Sequence, residues 1–326
     1  MDRVLRLILL LSCILGCFPA SILSKLRGQL GFRWLSCSVL YVVVIAILGL
    51  LLQLDTFYGF GNNDVYLNGT SKAFAINMTT YQIIELVHPL AVRLTGLVYC
   101  ASVMKSVKSV YEVQCFTSQT SSGKLAKLGP WCRHYKLCET VAYLCLLLVT
   151  IGQIRSHVAF VFSFLVPATW NGQLGTYFEA FLSPWRPLIL FVTICGLHNG
   201  SMTVLMALWL TLGFGLMLVR AHGEFTYFVV CCLRDPTERF CNEIETTVLV
   251  FENFKKLKTA FGVCGEVMGL YILFTMGYIL SWTVYSVHSL IWPLDGITGY
   301  VDLAHTMLCL ALFILLGHVM QNQVCF

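Results

Sequence analysis

Long apolar runs constrain the fold of this chain more than any other feature. A membrane-spanning helix needs roughly 20 mainly apolar residues. Six runs satisfy this, at about residues 35–54, 83–104, 138–155, 187–219, 261–285 and 301–320. Only 11% of the residues are charged and 58% are hydrophobic, whereas a soluble domain carries roughly 25% charged residues. The bilayer is therefore the expected solvent for most of the surface.

These runs predict an all-α fold, because helices are the open-chain elements that satisfy their own backbone polar groups in lipid. We expect a polytopic membrane bundle of about six spans, with residues 1–326 forming a single domain. The third run stays apolar to about residue 168, and both it and 187–219 are longer than one crossing. We expect these two helices to tilt or to continue outside the lipid.

Basic residues predict the orientation, because Lys and Arg near membrane ends stay on the cytoplasmic side. Segments 105–136 and 220–260 hold most of the connecting Lys and Arg, and we expect both in the cytoplasm. Segments 55–82, 156–186 and 286–300 are poor in basic residues and are expected outside. The N-terminus is then cytoplasmic, and 220–260 is a cytoplasmic helical extension.

Two N-glycosylation acceptors agree with this orientation. Asn68 and Asn77 each begin an N-x-S/T triplet without proline, and both fall in the first large connection. Glycosylation marks surface loops of segments that leave the cytoplasm. We therefore predict that Asn68 and Asn77 carry glycans outside the cell.

A shorter apolar stretch, Val4 to Phe18, precedes the six runs. As a cleaved signal peptide it would invert everything downstream, and as a full span it would place Arg3 and Arg6 outside. We expect instead a helix that lies at the inner membrane interface or re-enters it. The turn at residues 16–19 would be its end.

Charged residues inside spans are functional candidates, because removing a charge from water is costly. They are Glu85 and Arg93 in the second span, Glu266 in the fifth and Asp302 in the sixth. Glu85 and Arg93 are separated by roughly 12 Å along the helix axis, so they lie near one face without pairing directly. The alternative is that each charge lies near a helix end and reaches headgroups or water.

Aromatic residues at the expected outer ends of the spans could form a ligand pocket. The candidate ligand-binding residues are Tyr81, Trp170, Tyr177, Trp185, Trp282 and Tyr285. Tyr and Trp also concentrate at any membrane interface. An aromatic belt is therefore the alternative to a pocket.

Other classes of function lack support in the sequence. The net charge of +5 is scattered and forms no basic, aromatic-interleaved patch for nucleic acid. No H-E-x-x-H, G-x-S-x-G or phosphate-binding glycine loop occurs, so no catalytic residue or metal ligand is predicted. A G-protein-coupled receptor would have its N-terminus outside. A transporter usually shows an internal repeat, and we find none.

Local patterns resemble the insect gustatory and odorant receptor superfamily. Residues 15–19, Leu-Gly-Cys-Phe-Pro, look like the turn before the first span of those receptors. Residues 253–262 and the following run to Tyr285 are similar to the fifth-span entry and terminal tyrosine of the gustatory branch. Region 235–258 resembles cytoplasmic extensions that pack together as an anchor. The chain departs from the family at residues 219–225 and lacks the C-terminal Thr-Tyr … Gln-Phe signature with the seventh span that carries it.

The resemblance implies a gustatory receptor subunit of the plasma membrane. Such a subunit belongs to a homo- or hetero-tetrameric, ligand-gated cation channel and binds a small-molecule tastant near the outer half of its bundle. No cofactor is implied. Two alternatives remain open: a non-conducting truncated or accessory membrane protein, favoured by the missing last span, and a small-molecule transporter.

Overall fold

The computed structural model describes seven ranges of the chain: 3–19, 36–61, 72–120, 136–152 without 138 and 145, 186–234, 243–291, and 303–314 without 305, 306, 312 and 313. The principal helices are α1 (Arg3–Ile14), α2 (Cys37–Gly61), α3 (Lys72–Thr120), α4 (Arg186–Arg234) and α5 (Glu243–Ile291). A shorter apolar helix occupies Glu139–Gly152. No strand occurs in these ranges, so the all-α prediction is confirmed for the part of the chain that is described.

Three of the helices are much longer than a bilayer is thick. α3, α4 and α5 have 49 residues each, or about 74 Å at the usual rise per residue, against a hydrocarbon core of roughly 30 Å. Each contains a stretch apolar enough to cross a membrane, at Leu86–Ser118, Met202–Val230 and Thr247–Val284. These stretches overlap the predicted second, fourth and fifth spans.

The connections are shorter than the sequence predicted. α2 continues to Gly61 and α3 begins at Lys72, so much of the expected connection 55–82 is helical. α3 also continues to Thr120, well past residue 104. The difference arises because an apolar run marks only the part of a helix that suits lipid, and the polar turns that extend the helix carry no such mark.

α3 and α5 are antiparallel neighbours with the most extensive interface among the described helices. His88 of α3 is hydrogen-bonded to Thr275 of α5, with 3.3 Å between Nε2 and Oγ1. Further along α3, Glu112 accepts a hydrogen bond from Lys256 of α5 at 3.1 Å. Residue numbers thus rise along α3 as they fall along α5.

α4 runs parallel to α3. Cys17 lies against Gly96 of α3 and is hydrogen-bonded to Thr203 of α4, which places these two positions at one level. At another level, Phe116 of α3 packs on Phe228 of α4 with ring centroids 5.3 Å apart. Numbering rises in the same direction along both helices, so the chain between them returns from one end of the bundle to the other.

The buried side chains form two apolar clusters. The first joins one face of α1 to α3, α4 and α5, and includes Ile8, Phe18 and Phe214. The second joins the helix Glu139–Gly152 to α4 and the later part of α5. Trp209 of α4 donates a hydrogen bond to Thr150 of that helix at 3.2 Å, which helps fix its position.

Candidate functional site

Arg93 lies inside the helix bundle. Only 2% of the residue is exposed. Its guanidinium interacts electrostatically with the Cys17 thiol and the Tyr41 hydroxyl. The guanidinium remains charged in proteins, and a buried charge persists only among polar partners. Arg93 therefore stands at the centre of an internal polar site and does not reach headgroups or water as the alternative expectation had it.

His88 lies on α3 little more than one turn before Arg93 and is equally buried. Its Nε2 pairs with Thr275, and its ring packs against Tyr278 with centroids 5.3 Å apart. Which atom of the His88–Thr275 pair donates depends on the tautomer. The other ring nitrogen, Nδ1, has no hydrogen-bond partner among the described residues.

Tyr271 contributes a third buried polar group, from α5. It is fully buried, and its hydroxyl has no hydrogen-bond partner among the residues the structure describes. A Cβ built on Gly96 would lie 3.2 Å from that hydroxyl oxygen, so Tyr271 reaches across to the backbone of α3. We call the set His88, Arg93, Tyr271 and Thr275 the polar column.

The chemistry of the polar column is hydrogen bonding and charge. It combines a cation, a phenol, an imidazole and a hydroxyl within an apolar bundle. A buried polar atom without a partner costs about 1–3 kcal/mol, and bound water or a polar ligand commonly removes that cost. Among the described residues, no three His, Cys, Asp or Glu side chains come together to hold a metal ion.

The turn after α1 closes one end of the polar column. Gly16 adopts a φ of 65°. The Cys17 N–H donates to the Ser12 carbonyl at 2.8 Å, and the Gly16 N–H donates to the Cys13 carbonyl at 3.1 Å. These two bonds form a Schellman motif, which glycine permits at little cost. The predicted N-terminal helix and its terminal turn are confirmed, while their position relative to the membrane stays a prediction.

Glu266 does not join the column. It lies on an exposed face of α5. Nearby Gly262, Gly265 and Gly269 have no other atom within 4 Å of the position a Cβ would take, so this face is open. Glu266 is therefore exposed as the alternative expected, but it lies in the middle of α5 and not near a helix end.

The predicted aromatic pocket is described in part. Trp282 is half-buried and packs on the second apolar cluster. Tyr81 lies on α3 and Tyr285 on α5, and the antiparallel register brings these two positions to the same end of the bundle as Trp282, beyond His88. The other three pocket candidates lie outside the described residues: Trp170, Tyr177 and Trp185.

The remaining predicted residues have these positions. Asn77 lies in the second turn of α3, and not in a loop as the sequence suggested, while Glu85 lies on the same helix just before His88. Asn68 and Asp302 lie outside the described residues. Glycosylation of both asparagines and a role for Glu85 or Asp302 stay predictions.

Sequence reasoning missed most members of the column. His88, Tyr271 and Thr275 were not among the predicted site residues. His88 and Thr275 are 187 residues apart in the chain, so no local pattern links them. One signal was available: His88, Val92, Gly96 and Cys100 recur every four residues, which places an imidazole and a glycine on one apolar helix face.

No protein-family model matches this chain, and no curated protein matches it. Function is therefore inferred from the residues of the site.

Proposed function

We propose that the chain is a subunit of a gustatory-type chemoreceptor, a ligand-gated cation channel of the plasma membrane built from four like or related subunits. The observation that supports this most is the polar column inside an apolar bundle. A small-molecule tastant binds at the His88 end of the column, where it hydrogen-bonds the His88 ring. Trp282 and the neighbouring aromatic positions of α3 and α5 supply its apolar contacts.

Such a site is suited to sensing because it is built from two different helices. A ligand shifts a conformational equilibrium only through different affinities for the two states. His88 belongs to α3, whereas Thr275 and Trp282 belong to α5. A ligand bound between them gains or loses contacts when α3 and α5 move relative to each other, which couples binding to gating.

The helix directions are consistent with the predicted order of the spans. If α3 and α4 both cross the membrane, their parallel direction means that the chain between Thr120 and Arg186 crosses an odd number of times. The apolar helix Glu139–Gly152 lies in this part of the chain, and we propose that the predicted third span, of which it is a part, makes one such crossing. With a cytoplasmic N-terminus, the His88 end of the bundle faces outside, where a tastant arrives.

The experiment that tests this function expresses the chain in cells and records ligand-evoked current. A panel of sugars, alkaloids and amino acids is applied to the wild type, to Trp282→Ala and to Trp282→Phe. We expect Trp282→Ala to abolish the response at unchanged surface density, and Trp282→Phe to retain part of it because the ring is conserved. Loss of surface density in Trp282→Ala would indicate that Trp282 only packs the bundle.

Two further results would contradict the proposal. A chain that reaches the cell surface, alone or with related subunits, and never passes current favours a non-conducting accessory protein. Stoichiometric uptake of a solute without channel-like current favours a transporter.

Orientation is tested separately through the two acceptors. Asn68→Gln and Asn77→Gln are each expected to remove one glycan, seen as a stepwise mobility shift that endoglycosidase treatment abolishes. A chain that carries no glycan at either position, and whose N-terminal tag is detected on intact cells, has the opposite orientation, and the proposed function then fails with it.

A further inference from the structure

α1 packs one face against the bundle along its whole length. Its inward face, formed by Leu5, Ile8, Leu9 and Ser12, is 0–3% exposed. The opposite face exposes large apolar side chains, including Leu7 at 55%, as expected of a helix that contacts lipid on one side. α1 spans only 12 residues, or about 18 Å. It therefore penetrates part of the bundle and ends inside it.

The end of α1 meets α3 backbone to backbone. The Cys17 carbonyl oxygen lies so close to Gly96 that a Cβ at that position would overlap it. A glycine elsewhere gives a contrast, because a Cβ on Gly213 of α4 would meet only the terminal methyl groups of Ile8 and Leu5, at 3.0 and 3.2 Å. Flexible side-chain ends can move aside, whereas the Cys17 carbonyl is fixed by the turn.

This contact lies at the Tyr271 end of the polar column. The Tyr271 hydroxyl is next to the same Gly96, and the Arg93 guanidinium interacts with the Cys17 thiol. Cys17 is fully buried there. The turn therefore covers one end of the column, and its removal would uncover two of the column's polar groups.

α1 is attached to the bundle through one face only of its short length. A helix of 12 residues is marginal without tertiary packing. At its end, the Tyr41 hydroxyl donates to the Ile14 carbonyl at 2.7 Å, Thr203 pairs with the Cys17 thiol, and Ser38 donates weakly to the Pro19 carbonyl at 3.5 Å. A 12-residue helix that packs through one face opens locally at lower free energy than the 49-residue helices around it.

We propose that residues 3–19 form a displaceable plug that closes the Tyr271 end of the polar column and that opens as a unit while the remaining bundle stays folded. Displacement moves the Cys17 turn away from Gly96 and exposes Tyr271 and Arg93. The proposal does not depend on the ligand or on channel activity, because the opening itself can be measured.

Native cysteines report the opening. Burial raises the pKa of the Cys17 thiol, so in the closed state the reactive thiolate is scarce and hidden. Once the turn is displaced, both restraints are removed, and alkylation becomes possible. Cys37 is exposed and Cys264 is buried in the long helix α5, so they serve as the fast and slow references within the same molecule.

The experiment alkylates the full-length chain in membranes with N-ethylmaleimide and quantifies each cysteine by peptide mass spectrometry over time. In the wild type we expect Cys17 to react more slowly than Cys37 and faster than Cys264. Gly96→Ala should accelerate Cys17 by about tenfold or more, because overpacking against fixed backbone shifts the plug equilibrium by that order. Cys264 should be unaffected. The matched variant Gly213→Ala should stay within about twofold of the wild type.

Tyr41→Phe keeps the test decisive if Gly96→Ala fails to fold. It removes one hydrogen bond to the end of α1, which should accelerate Cys17 by about two- to tenfold. The proposal is overturned if Cys17 and Cys264 react at the same rate in the wild type, or if a variant accelerates both equally. It is also overturned if neither Gly96→Ala nor Tyr41→Phe, when folded, changes the Cys17 rate.

Discussion

The two ends of the α3–α5 pair differ in whether their polar groups are buried or exposed. At one end, His88 and Arg93 are withdrawn from solvent, each with 2% of its surface exposed. At the other end, Glu112 and Lys256 form an ion pair of 3.1 Å whose side chains are both 45% exposed. Exposed ion pairs contribute about 0–1 kcal/mol to stability, whereas removing a partner from a buried charge costs about 3–5 kcal/mol. The buried end therefore dominates how α3 and α5 fit together.

The difference between the buried and the exposed end also indicates which end has a functional role. An exposed pair such as Glu112–Lys256 tolerates exchange, because water replaces whichever partner is lost. A buried polar group in a membrane bundle is costly and is usually retained for a role. We therefore look for function at the His88–Tyr271 end and expect the Glu112–Lys256 end to respond weakly to substitution.

Charge reversal at the buried end should have the largest effect. Arg93→Glu places a carboxylate among groups arranged around a cation, and we expect a loss of about 3 kcal/mol or more, enough to remove most folded protein. The measurement is the yield and thermal midpoint of detergent-solubilised protein by fluorescence-detected size exclusion. Lys258→Glu is the control, because Lys258 is exposed and its reversal should change stability by about 1 kcal/mol at most. Equal effects from the two reversals would remove the distinction between buried and exposed positions.

Arg93 also illustrates how far the sequence could predict the site. An arginine within an apolar run is conspicuous, since charge is rare there, and the residue was selected on that ground. Its surroundings could not be predicted, because Cys17, Tyr41 and Tyr271 come from separate parts of the chain. Only the pairing of helices brings them together.

The fold, like the site, could be predicted from the sequence only in part. Apolar runs predicted the helices in the lipid-compatible part of the chain, and the turn at Gly16 was predicted from its glycine and following proline. The length of α3 was not predicted, because residues 105–120 continue it through polar sequence, whereas the continuation of α4 through residues 220–234 agrees with the predicted helical extension. The parallel direction of α3 and α4 was implicit in the predicted topology, while the packing of α1 and its turn on the bundle depends on shape complementarity at positions such as Gly96.

The hydrogen bond within the column should give the next largest effect. Thr275→Val keeps the shape of the side chain and removes the partner of the His88 Nε2. A buried nitrogen left without a partner costs about 1–3 kcal/mol, so we expect a lower thermal midpoint. Thr259→Val serves as control, because Thr259 lies on the same helix, is exposed and donates to the Lys255 carbonyl of its own helix. If both variants have the same stability, the His88–Thr275 bond contributes nothing measurable.

The glycine of the plug gives a smaller expected effect. Gly16→Ala forces a side chain into the left-handed region, at a cost of about 1–2 kcal/mol, and its Cβ would approach the Ile45 side chain to 3.3 Å. Gly262→Ala, towards the exposed end of α5, should be neutral or stabilising by up to about 1 kcal/mol, because its position is open and alanine favours helix. Relative to the wild type, Gly16→Ala should therefore lower the thermal midpoint, whereas Gly262→Ala should leave it unchanged or raise it. A destabilising Gly262→Ala would mean that the open face is covered in the membrane.

The exposed pair should give the smallest effect of all. Lys256→Gln removes the partner of Glu112 across the α3–α5 interface, and we expect a change of less than about 1 kcal/mol, shrinking further in high salt because exposed charges are screened. Lys255→Gln is the control, because Lys255 is adjacent and also exposed. It removes a positive charge and leaves the Glu112–Lys256 pair intact. Combining Lys256→Gln with Glu112→Gln in a double-mutant cycle measures the pair directly. If the coupling energy is well above 1 kcal/mol and persists in high salt, the Glu112–Lys256 pair helps to hold α3 against α5. The buried column would then no longer be the dominant contact between the two helices.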